Sequence, residues 1–177
     1  MAEHSLKTTN WYVIQVMTGN EESICRDIMQ MTDSELYDRC FVPMSELQRK
    51  VKGKYISIMK PLFPGYLFII SDHIEKIQAA LWKVAKFTRI LRAGSTFVPL
   101  EIEEVQNLRS LTDKAFNITL SKGFIEGDQV YITEGPLKEQ EGRIRKIDRH
   151  KRIAIVEMPF LGSTTNVRVP LEIAEKK

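Results

Sequence analysis

The chain has 177 residues, with 26 Lys/Arg against 23 Asp/Glu, 43% hydrophobic and 28% charged. This is the composition of a globular protein with one ordinary domain or two small ones. It excludes a membrane-spanning helix, because no apolar stretch approaches the ~20 residues required. Met1 to Asn10 are polar and lack the apolar region of a secretory signal. Cys25 and Cys40 do not form a CxxC, and three histidines (His4, His73, His150) are scattered. The expectation is therefore a cytoplasmic protein with reduced thiols, no metal site and no cofactor.

Trp11 to Met17 is aromatic and β-branched and predicts a strand ending at Thr18-Gly19-Asn20. A helix follows, capped by Asn20 or Thr18, with Glu21 at capping-box spacing from Thr18. Ile24, Ile28 and Met31 recur at helical spacing with Cys25 beside them, which predicts a core face rather than thiol chemistry. After a polar connection, Phe41 to Met44 is extended. Arg49, Lys50, Lys52 and Lys54 then surround Gly53, the tip of a hairpin returning through Tyr55 to Met59. Such a tip is either a solvated loop or a nucleic-acid contact.

Pro61-Leu62-Phe63-Pro64-Gly65 predicts a rigid elbow, since each proline fixes its own φ and extends the residue before it. The elbow feeds Tyr66 to Ile70, an apolar run suited to a central strand covered on both faces. A rigid turn there presents Phe63 and Tyr66 outward. Asp72, with Glu75 three residues on, predicts a second helix with Ile74, Ile77, Ala80, Leu81 and Val84 on its apolar face. Phe87 to Leu91 predicts a strand. A third helix spans roughly Glu101 to Leu111, its early acids suited to the helix dipole, with Ile102, Val105 and Leu108 or Leu111 packing. This order predicts an α+β sandwich with an antiparallel sheet.

Asp113 to Lys122 has no pattern and predicts a connection. The expected division is 1–113, a linker at 114–122, and 123–177. From Gly123 four short strands follow (129–133, 142–147, 153–157 and 165–169), separated by turn residues, which predicts a small β-barrel. Ile144 and Ile147 break strand parity, so a bulge is expected between them. Charge is uneven. Residues 1–120 carry 15 Lys/Arg and 14 Asp/Glu, whereas Arg143–Arg152 holds six cations against Asp148. That cluster is either a solvated hairpin or the site of a polyanion. No Ser/His/Asp set, phosphate-cradling glycine loop or paired carboxylates in a cleft points to an enzyme.

Two groups of residues resemble known domains. Trp11-Tyr12-Val13-Ile14-Gln15, the Gly19 turn, Val42-Pro43, Phe63-Pro64-Gly65-Tyr66-Leu67-Phe68 and the Gly94 turn before Pro99 resemble the N-terminal (NGN) domain of NusG-type transcription elongation factors. Gly127-Asp128-Gln129-Val130, Gly135-Pro136-Leu137, Glu141-Gly142, Ile144, Ile147-Asp148, Phe160-Leu161-Gly162 and Val167 resemble a KOW domain, an SH3-like barrel. The pair, in this order, covers Trp11 to Lys176.

The resemblance implies a non-enzymatic, monomeric transcription factor that docks on the clamp helices of RNA polymerase. By the match, that patch is built from Tyr12, Leu62, Phe63, Pro64 and Tyr66, and aromatic anchors suit such a role. In the general factor the KOW domain meets protein partners, a termination factor or the ribosome. This chain departs from that pattern with Arg143, Arg145, Lys146, Arg149, His150, Lys151 and Arg152, where ordinary members are mixed or acidic. The departure resembles the LoaP-type antiterminators and implies a hairpin in nascent RNA as the ligand. The physics suits RNA: cations release counterions from phosphates, and Arg can fork onto or stack on bases.

Overall fold

The computed structural model describes residues 10–84 and 88–174. The polar residues before Asn10, Phe87 at the start of one expected strand, and Lys176 lie outside the described residues. In chain order the elements are β1 (Trp11–Gln15), α1 (Glu21–Met31), β2 (Arg39–Phe41), β3 (Met44–Val51), β4 (Lys54–Pro61), β5 (Tyr66–Ile70), α2 (Ile74–Leu81), β6 (Arg89–Ile90), β7 (Arg92–Ala93), β8 (Thr96–Phe97), α3 (Ile102–Leu111), β9 (Asn117–Ile118), β10 (Ser121–Glu126), β11 (Gln129–Glu134), β12 (Ile144–Asp148), β13 (Ile153–Phe160) and β14 (Ser163–Ile173). By contact the chain divides into two units: Met1–Val42 with Pro64–Leu100, and Pro43–Phe63 with Glu101–Lys177.

The first unit is built on an antiparallel sheet in the order β2-β5-β1-β6. β5 is interior to this sheet, and Leu67 to Ile70 are all buried, as an unbroken apolar run requires. One face packs Tyr12, Ile14, Val16, Leu67 and Ile69 with Ile24, Cys25 and Ile28 of α1 and Ile74, Ile77 and Leu81 of α2. Trp11, Phe41 and Phe68 contact one another edge-on and stacked, at centroid distances of 5.5 and 5.6 Å. Cys25 and Cys40 are buried free thiols whose Sγ atoms lie 3.5 Å apart. Their shared hydrogen bond, with burial, pushes the Cys40 thiol up, while the same bond draws Cys25 down.

The helix starts differ from expectation. Neither Asn20 nor His73 makes a side-chain cap, and α2 begins at Ile74, with the Ser71 hydroxyl accepting the His73 N–H. Thr18 makes no capping box. Instead the buried Glu21 carboxylate accepts the Gly19 N–H with Oε2 (2.8 Å) and the Gly65 N–H with Oε1 (2.7 Å). The buried stripe of α1 runs through Glu21, Ile24, Cys25 and Ile28, which leaves Met31 exposed.

In the second unit β3 and β4 form a long antiparallel hairpin, and β9 adds in parallel to β3. Lys52 and Gly53, both at positive φ, make its two-residue turn, the geometry whose twist matches the flanking strands. β9 and the start of β10 occupy residues expected to be a patternless connection. Five strands in the order β11-β10-β14-β13-β12 form the curled sheet of the small barrel. β13 alternates without exception, turning Ala154, Val156, Met158 and Phe160 inward. It continues through Pro159, which the sequence places in a turn; β12 pairs only as far as Val156, so no bond to it is lost there. The expected bulge lies between Ile144 and Lys146.

α3 carries a capping box between Glu101 and Glu104, and the buried Glu104 also accepts the Gly162 N–H at 2.9 Å. Its buried side is Glu104, Leu108 and Leu111. Ile102 sits two residues before Glu104, on the opposite side of the helix, and is 73% exposed instead of packed.

Candidate nucleic-acid interface

The seven cationic or aromatic-cationic residues of the basic run do not share one environment. Arg143, in the turn before β12, is half-buried: its Nε donates to the Glu157 carbonyl at 3.2 Å and its Nη1 to Gln140. Burial draws its pKa down from the usual value. Arg145 is ion-paired with Glu157 and donates to the Gly142 carbonyl. Lys146, Arg149, His150 and Lys151 are exposed at the end of the β12–β13 hairpin. Asp148 closes that turn by accepting the Lys151 N–H at 3.0 Å. This hydrogen bond, reinforced by the Lys151 ammonium, holds the Asp148 carboxyl below the usual range.

Arg152 has left-handed backbone (φ 53°) and turns back from solvent. Its guanidinium lies 3.2 Å from Glu172 and stacks 3.7 Å above the Tyr55 ring. The Tyr55 hydroxyl donates to the His150 carbonyl at 3.1 Å. Sequence reasoning missed Tyr55 and Glu172. The one available signal was that Tyr55 is an aromatic within an otherwise basic tip; its partner, 95 residues away, left no local trace.

The elbow is more buried than its sequence predicts. Leu62 and Phe63 are 4% and 5% exposed, and the Leu62 N–H donates to the Pro43 carbonyl at 2.8 Å. Phe63 is not presented outward: its ring stacks on Phe160 of β13 at 4.2 Å and 17°. Tyr12 is also buried, and burial with the nearby Glu75 pushes its phenol up. Pro64 is exposed and Tyr66 half-buried. Gly65, at φ 87°, has room for no side chain without crowding the Thr18 hydroxyl at 3.1 Å. Among the described residues no cluster of His, Cys, Asp and Glu is arranged to hold a metal, and no helix is long and apolar enough to cross a membrane.

Comparison with known proteins agrees with this architecture. A family model described as "Transcription termination factor nusG" matches residues 9–109, and the KOW motif matches residues 126–158. Among curated relatives, the transcription termination/antitermination protein NusG of Rickettsia bellii is 25% identical, over 96% of this chain and 90% of that protein. The protein of the same name from Thermus thermophilus is 29% identical, over 90% and 94%. A solved structure described as "Domain interaction in Thermotoga maritima NusG" superposes with a TM-score of 0.53 at 21% identity, covering 93% of this chain and 94% of that one. With more than half its length matched by the family model and a KOW motif following in the family's order, the chain belongs to the NusG family of non-enzymatic transcription factors.

Proposed function

We propose that this chain is a processive antitermination factor of the LoaP kind, which rides on RNA polymerase and is recruited by a hairpin in nascent RNA. The names of its relatives support termination or antitermination as the process. The observation that carries the RNA assignment is the exposed group Lys146, Arg149, His150 and Lys151 on one hairpin end, opposed in the turn by Asp148 alone. Arg143, Arg145 and Arg152, engaged with their own neighbours, position the hairpin. The proposed functional division is residues 1–113 for polymerase and 123–177 for RNA, in a cytoplasmic monomer.

The test is titration of the full-length protein with leader RNAs by fluorescence anisotropy. Arg149→Ala/Lys151→Ala is expected to weaken binding and make the salt slope shallower by about 1.5, the loss of two phosphate contacts. No affinity above nonspecific background at any leader overturns the RNA reading. It favours a general factor whose KOW domain binds a termination factor or the ribosome, a reading supported by relatives that carry the general NusG name. For polymerase docking, the clamp helices remain the proposed target, with Pro64 and Tyr66 as contacts and Tyr12, Leu62 and Phe63 in supporting positions. Tyr66→Ala is expected to weaken co-purification with RNA polymerase roughly tenfold, the effect of one aromatic anchor. Undiminished recovery counts against the elbow.

A further inference from the structure

The two basic stretches are far apart in sequence and meet on one side chain. Tyr55 donates its hydroxyl to the His150 carbonyl, and its ring carries the Arg152 guanidinium at 3.7 Å and the Lys50 ammonium at 5.7 Å. Lys50 is its cross-strand partner in the β3–β4 hairpin. That hairpin contains no acidic residue from Leu47 to Pro61, and every residue from Arg49 to Lys54 is exposed. Joining the two loops brings Arg49, Lys50, Lys52, Lys54, Arg149, Lys151 and Arg152 to one region, against the acids Asp148 and Glu172. Like charges gathered this way repel one another in the free protein. Cation–π contact with Tyr55 and the Glu172 ion pair offset part of that repulsion.

We infer that the β3–β4 hairpin tip and the β12–β13 turn form one binding surface for RNA phosphates, with Tyr55 as the positioning residue that holds the two loops together. The inference rests on the RNA reading above and extends the site to a segment outside the matched KOW motif at 126–158. Two separate cationic loops suit the paired backbones of an RNA stem. Lysines at a hairpin tip contact phosphates without reading sequence, so the hairpin supplies affinity and the β12–β13 turn the choice of RNA.

The experiment uses the full chain and a fluorescein-labelled RNA stem–loop, titrated across a range of salt. Lys50→Gln/Lys52→Gln/Lys54→Gln is expected to make the salt slope shallower by about 2 and to weaken binding at least roughly tenfold. Tyr55→Ala keeps all seven cations, yet is expected to weaken binding roughly tenfold because the loops are no longer preorganised. Unchanged thermal melting confirms that both variants remain folded. A hairpin-tip variant that binds like wild type, beside an Arg149→Ala/Lys151→Ala protein that does not, overturns the composite surface and leaves the RNA reading intact. A Tyr55→Ala protein that binds like wild type also overturns it. Failure of the wild-type chain to bind any leader-derived stem–loop above nonspecific background overturns both readings. So does displacement of the stem–loop by a poly-glutamate peptide of equal charge at equal concentration, which assigns the surface to an acidic protein.

Discussion

Glu21→Ala is expected to lower the unfolding free energy by about 2 kcal/mol, a sizeable fraction of a small domain's stability. The carboxylate is 3% exposed and satisfies two backbone donors at once, Gly19 N–H and Gly65 N–H. Removing it strands the buried Gly65 N–H, where an unmade hydrogen bond costs ~1–3 kcal/mol, while the exposed Gly19 N–H turns to water. It also removes the anion that the start of α1 favours. Glu21→Gln rescues only in part, because its NH2 group faces an N–H donor where an oxygen stood. Urea denaturation of the full chain, followed by a probe of the first unit, measures this. A change below about 0.5 kcal/mol, the range of ordinary surface substitutions, overturns the assignment.

Phe63→Ala is expected to cost about 3–5 kcal/mol, the range for emptying a buried aromatic site. Its ring stacks on Phe160, and such pairs add ~0.5–1.5 kcal/mol beyond the area they bury. Tyr66→Ala, at a half-buried strand start, is expected to cost far less in thermal melting while weakening polymerase binding. The contrast separates the elbow's structural ring from its proposed docking ring. Equal and small effects at both positions place Phe63 on the surface in solution.

Local pattern made much of the fold legible. The apolar run at Leu67 to Ile70, the Lys52-Gly53 turn and the bulge near Ile144 each follow from neighbours in sequence. What stayed hidden depends on distant partners. Phe63 reads as an outward elbow residue because nothing near it announces Phe160. Glu21 reads as half of a capping box because its second acceptor role belongs to Gly65. Ile102 reads as core only if the helix face is guessed; the buried face runs through Leu108, Leu111 and Glu104, the last held by the Gly162 N–H. At the candidate site composition identified the basic run. It did not distinguish the exposed Arg149 from Arg145, Lys151 and Arg152, whose charges are met by Glu157, Asp148 and Glu172.

The chain passes between the two units at Val42–Pro43, Phe63–Pro64 and Leu100–Glu101. On the ribosome, this means that the β3–β4 hairpin is finished long before its neighbours exist. β14, whose Arg168 carbonyl accepts the Ser45 hydroxyl at 2.8 Å, is complete only at Ile173. At roughly 5–20 residues per second, that is a wait of about 6 to 22 s after Pro61 emerges. Until β9 emerges the nascent hairpin exposes both edges, β4 stays an edge of this sheet, and Met44 and Leu47 wait to be buried. Arg49, Lys50, Lys54 and Lys60 lie on those strands and Lys52 at their turn, and charge on an open strand is what keeps it from pairing with another chain. The same lysines that are proposed to meet phosphates thus guard the protein during its own synthesis.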